Sequence, residues 1–185
     1  TNLDVVDIDG AVDMAATLQV DGAITSDGPA VFSLTSNANN LTLVSTDADA
    51  SKGPNLVFYR NSASPADGDD LSTIDFIGRN DNSQDVTYGQ IKSVLVDASD
   101  GTEDARLEFY RMIGGTSSPD LQLNSEGVVL NEGSGDRDFR VESNGNANML
   151  FVDGGNNKVT IGTATATATL TVEGSAVAKT DTDTS

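Results

Sequence analysis

The residues best suited to chemistry in this chain are two clusters of carboxylates. Asp67, Asp69 and Asp70 form one, and Asp97, Asp100, Glu103 and Asp104 form the other. Paired carboxylates are the equipment of glycoside hydrolysis, in which one acts as acid and the other as base or nucleophile. Both clusters lie in Gly- and Ser-containing turns with no neighbouring Trp or Tyr to stack a sugar ring, so they read as solvated turn residues. The segment Asp47-Ala48-Asp49-Ala50-Ser51-Lys52-Gly53 imitates half of a calcium loop. Its glycine sits one place late, its twelfth position is Phe58 instead of a bidentate Glu, and Lys52 would repel the ion. The sequence contains no His and no Cys, which removes the Ser-His-Asp and Cys-His arrangements and the common transition-metal sites. No glycine-rich phosphate cradle is present. The expectation is therefore a chain that is not an enzyme, with no catalytic, cofactor-binding or metal-ligating residues and no cofactor.

Composition narrows the class further. The 185 residues carry a net charge of −19, with 10 basic and 29 acidic side chains. No Lys or Arg precedes Lys52, and the arginines all lie between Arg60 and Arg140. Without a basic cluster the footprint of nucleic-acid binding is missing, and an anionic membrane surface would repel the chain. No apolar run approaches the ~18 residues of a membrane span. Residues 1–4 lack the charged and apolar regions of a signal peptide. Only 5 % of residues are aromatic, against 18 glycines, which suits narrow, closely packed β structure. Acidity keeps exposed strands apart laterally.

The elements that must position these groups are strands. The best helix candidate, residues 12–18, is too short to stand alone. Alternation with period two marks 41–43, 74–76, 107–109, 121–123, 139–141, 159–161 and 170–172 as half-buried strands. Turn clusters separate them: Asp67-Gly68-Asp69, Gly114-Gly115, Asn144-Gly145-Asn146 and Gly154-Gly155-Asn156-Asn157. An acidic-Gly phrase between short apolar runs recurs at Asp9-Gly10, Asp21-Gly22 and Glu173-Gly174. Glycine takes positive φ there at no steric cost, which predicts tight turns. The segment 56–60 (Leu-Val-Phe-Tyr-Arg) returns as 107–111 (Leu-Glu-Phe-Tyr-Arg), which reads as an internal duplication or as two similar strands. The alternating Thr163–Thr169 run reads as a strand with Thr on one face and Ala on the other, or as a linker. Four zones result: an acidic N-terminal shaft or attachment segment at 1–40, a longer-stranded β region at 41–130, a shaft-like β segment at 131–178 and a polar linker at 179–185.

Small strand-turn-strand units cannot bury their own apolar faces, so the fold class is all-β and elongated. A narrow rod of one such chain leaves apolar edges open. Closure about a three-fold axis covers them and makes stability depend on assembly. The expectation is a fibrous homotrimer with short strands and Gly/Asn turns.

Several stretches also resemble a known family. They are Gly53-Pro54-Asn55-Leu56-Val57-Phe58-Tyr59-Arg60-Asn61-Ser62, Gly78-Arg79-Asn80-Asp81-Asn82, Val96-Asp97-Ala98-Ser99-Asp100-Gly101-Thr102-Glu103-Asp104, Phe139-Arg140-Val141-Glu142-Ser143-Asn144-Gly145 and Asn157-Lys158-Val159-Thr160-Ile161-Gly162-Thr163. Together they resemble tail fibre proteins of tailed bacteriophages, notably those of aquatic hosts. The resemblance spans most of residues 5–178, and its motifs are structural and degenerate. It implies a homotrimer in the virion tail, extracellular before infection. It further implies tail proteins (adaptor, nozzle or baseplate) as partners, and a distal part touching a host surface glycan or protein. No stretch is similar to the self-cleaving chaperone domain that ends many longer relatives, so the chain is expected to be a shaft or attachment portion, or a product already trimmed. The alternatives are a capsid fibre or decoration protein, a carbohydrate-cleaving tailspike and a bacterial adhesin.

Overall fold

Turns decide which of the expected strands form. The computed structural model describes residues 11–15, 17–50 and 53–172. The chain divides into two units, Thr1–Leu56 and Val57–Ser185. In the first, the described residues contain neither helix nor strand, and every one of them is exposed. Among the described residues the second holds nine strands and no helix, so it is all-β.

A five-stranded antiparallel sheet comes first, in the order β1 (Asp70–Arg79), β2 (Asp85–Asp97), β3 (Asp104–Ile113), β4 (Thr116–Asn124) and β5 (Gly127–Leu130). Each pair is closed by local turn chemistry. Between β1 and β2, the Asn80 side-chain oxygen accepts the N–H groups of Asn82 and Gln84 at 3.0 and 2.9 Å. Between β2 and β3, Asp97 accepts the Ser99 N–H at 2.8 Å and the Thr102 hydroxyl at 3.1 Å. Between β3 and β4 the loop is Gly114-Gly115 alone, with φ of 56° and 80°. Two positive φ values in a two-residue loop match the right-handed twist of the flanking strands.

The second sheet is built from shorter strands: β6 (Phe139–Val141), β7 (Leu150–Asp153), β8 (Lys158–Ile161) and β9 (Leu170–Val172). Its pairs are antiparallel except β8–β9, which is parallel. The β7–β8 turn is the predicted Gly154–Asn157 cluster, braced by Asp153 accepting the Asn156 N–H at 2.8 Å.

Strand pairing is interrupted by register shifts between Asp70 and Ser72, Phe76 and Ile77, Leu95 and Asp97, and Phe109 and Tyr110. Pro119 sits opposite Tyr110 at the last of these, where a missing N–H costs least.

Several expectations are corrected. The strand-bearing region starts at Asp70 and not at residue 41: residues 41–43 form no strand. Asp21-Gly22 is a bend with no strand on either side. Two runs of about three residues are too short to hold a hairpin without further partners. The two copies of the pentapeptide also differ, since 107–111 lies in β3 and 56–60 lies outside any strand. The Thr163–Thr169 run is no strand either. It is the crossover that a parallel β8–β9 pair requires, tied down by Lys158 Nζ donating to Ala166 O at 3.2 Å and by the Thr160 hydroxyl donating to Thr163 O. Asp9-Gly10, Glu173-Gly174 and the linker at 179–185 lie outside the described residues.

Candidate functional site

The two carboxylate clusters are far apart in sequence, yet the fold brings parts of both to one end of the five-stranded sheet. Gly68 N–H donates to Leu95 O at 2.8 Å, and Leu95 N–H donates to Asp69 O at 2.9 Å. Asp67 accepts the Ala98 N–H at 2.9 Å across this junction. Asp69 accepts the Ala66 N–H at 3.1 Å and pairs with Arg60 at 3.0 Å. Asp70 pairs with Lys92 at 2.8 Å, and Glu103 accepts the Gly101 N–H at 3.1 Å. The Ser99 backbone N–H holds the exposed Asp97 carboxyl below the usual carboxylate range. A glycosidase acid needs the opposite, a carboxyl pushed up so that it stays protonated near neutrality. What this arrangement does chemically is brace turns. Among the described residues, no group of three or more Asp or Glu is arranged to hold a metal ion. In the calcium-like segment Asp47 accepts the Asp49 N–H at 3.2 Å, and Ser51 and Lys52 lie outside the described residues.

The five-stranded sheet has two faces of opposite character. Directly paired residues share a face. One row across all five strands reads Thr73, Lys92, Glu108, Gln122, Val129. The next reads Ile74, Ile91, Phe109, Leu121, Leu130. Burial runs against intuition. On the polar face Glu108 is 2 % exposed and the neighbouring Val94 is 1 % exposed. Glu108 accepts from Arg106 at 2.9 Å, Gln122 at 2.8 Å and Tyr110 at 3.0 Å, so its buried charge is fully hydrogen-bonded. Burial, reinforced by that bond to Glu108, pushes the Tyr110 hydroxyl above its ordinary pKa. On the apolar face no side chain is buried: Ile74 is 40 % exposed and Phe76, one row on, is 56 % exposed. Val94 is the one buried apolar side chain among the described residues.

At the corner of the apolar face, a cleft of about 340 Å³ separates it from the second sheet. Leu130, Phe139 and Val152 supply its greasy wall. Asp120 lies between two arginines, with Arg111 Nε at 2.6 Å and Arg137 Nη1 at 3.3 Å. The Asp120 carboxylate lifts the Arg111 pKa further. Asp120 Oδ1 is buried and accepts no hydrogen bond. Its compensation is the Arg137 charge, which lies close but off the hydrogen-bond axis. Arg137 also donates to Ser118 Oγ at 2.9 Å. A Cβ on Gly154 would run into the Arg137 backbone, so this approach requires glycine. The cluster fastens the segment leading into β6 to β3 and β4.

No protein-family model matches this chain, and no curated protein matches it either.

The apolar row and the Arg111–Asp120–Arg137 group are what sequence reasoning missed. A usable signal was present. A Gly114-Gly115 hairpin fixes Ile113 opposite Thr116, and from there Arg111 opposite Ser118. Each further turn propagates the register, and the faces follow.

Proposed function

We propose that this chain is a structural protein of a bacteriophage tail fibre. It acts as a homotrimer in the shaft or tail-attachment portion and supports adsorption to a host cell. The carrying observation is the run of residues 11–59, whose described members are all exposed. It contains strand-like pairs such as Leu18 and Val20, Phe32 and Leu34, and Leu41 and Leu43. A strongly acidic chain gains nothing by showing these side chains to water, and further copies of the chain supply the missing partners. The family resemblance stated above supports the same reading. The turn-bracing role of the carboxylates supports a part that holds and positions, not one that cleaves.

Light scattering in native buffer tests this. The expected mass is three times the 19.1 kDa of the chain. A folded, monodisperse monomer overturns the proposal. Labelling the chain on the virion then separates a tail position from a capsid one.

A further inference from the structure

We infer that the apolar face of the five-stranded sheet is the surface through which copies of this chain join, with the Ile74–Ile91–Phe109–Leu121–Leu130 row turned toward the shared axis. This rests on the homotrimer reading above and names the contact that reading leaves open.

Three observations choose a second copy as the occupant. The first is charge. The chain carries −19, so most surfaces of two copies repel. The opposite face of this sheet presents Asp75, Lys92 and Glu108 in adjoining rows. Across the apolar face, paired rows bring Ser72, Ser93, Leu107, Leu123 and Val128 together, and Gly89 with Arg111 and Ser118. Of the carboxylates at its corner, Asp120 is already paired with two arginines and Asp138 accepts the Gly154 N–H. Identical acidic chains can meet here without stacking like charges.

The second is size. Strands lie ~4.8 Å apart and same-face rows ~7 Å apart, so three rows over five strands have a footprint on the order of 500 Å². Side chains corrugate that area toward the ~800 Å² per partner of a standard interface. Its apolar members are interrupted at Ser72, Ser93, Gly89, Arg111 and Ser118, and an exposed apolar patch of this kind, rimmed by polar groups, marks an interaction site.

The third is relief. Ile74 is exposed beside the small Ser72 and Ser93, and the Phe76 ring lies against Gly89, 3.5 Å from where a Cβ there would sit. Large and small positions side by side let the same surface interdigitate with itself.

Neighbouring residues on one strand give the test. Ile74 lies on the apolar face and Thr73 on the opposite one, and both are exposed. The chain contains no cysteine, so single Ile74→Cys and Thr73→Cys variants report without background. Under mild oxidation Ile74→Cys should give a disulfide-linked pair of chains and Thr73→Cys should not. A Phe109→Glu variant should raise the concentration needed for assembly at least ~10-fold, because a charge would enter the contact. A trimer that links through Thr73→Cys and not through Ile74→Cys overturns this inference and leaves the homotrimer standing. So does a trimer in which Ile74→Cys stays unlinked because another segment covers the face. A monomeric wild-type chain overturns both.

Discussion

Residues 56–60 and 107–111 differ only at Val57 and Glu108, yet one is exposed coil and the other is a central strand. The difference lies outside the pentapeptides. Residues 107–111 are flanked by the Asp97–Thr102 turn and the Gly114-Gly115 turn, which deliver β2 and β4 to both edges. Among the described residues, no such closure lies beside 56–60. Alternation proposes a strand, and a partner delivered by a turn makes it one. Glu108 adds a second lesson. It is the residue that departs from the copy, and it is the one whose carboxylate collects Arg106, Tyr110 and Gln122.

The largest expected effect comes from matched truncations. Phe109→Ala should lower the stability of the folded assembly by about 3 kcal/mol, as removal of a large packed side chain does. Phe58→Ala, at a position 51 % exposed in one chain and packed only where further copies reach it, should cost less than Phe109→Ala. Thermal unfolding at one fixed chain concentration compares them, and equal losses would erase the contrast between the two segments. A middle-sized effect belongs to the turns. Gly115→Ala forces a side chain onto φ of 80° and should cost about 1 kcal/mol. Gly22→Ala meets no atom within 4 Å and no positive φ, so it should be neutral or slightly stabilising. If both glycines behave alike, the turn argument fails.

The smallest effect is electrostatic. The folded β2–β3 turn depresses the Asp97 pKa, so it favours the anion. The resulting stabilisation is present above the ordinary value of 3.8 and fades as the pH falls through the depressed one. Carboxyl NMR should place the Asp97 midpoint below 3.8, and Asp97→Asn should remove the acid sensitivity of this turn. A midpoint above 3.8 would contradict the hydrogen bonds that Ser99 and Thr102 make to Asp97.

Much of the second unit was legible as sequence. The runs at 74–76, 107–109, 121–123, 139–141, 159–161 and 170–172 all fall in strands, because each has a turn or, for 170–172, the 163–169 crossover that delivers a partner. Runs at 18–20 and 41–43 carry the same pattern and do not pair, since pairing is a property of two segments and periodicity describes one. Asp69, Asp97 and Glu103 were legible as turn residues for a related reason: they accept backbone N–H groups two or three residues away, whereas Asp67 reaches Ala98 and Asp70 reaches Lys92 only through the pairing of β1 with β2. Asp120 between Arg111 and Arg137 was not legible, because Arg137 arrives from beyond β5 and depends on Gly154 making room for its backbone.

The four register irregularities bear on how the chain finds its fold. A pattern of period two survives a slip of two residues, since every side chain returns to its own face. A sheet read only by its alternation would offer several pairings of nearly equal merit. Each bulge breaks that translational symmetry, because the extra residue fits at one place along the partner strand. The irregularities at Phe76/Ile77 and Phe109/Tyr110 thus act as landmarks. They convert a degenerate search over sliding alignments into one with a single end point, and sliding back out of it requires opening the hairpin.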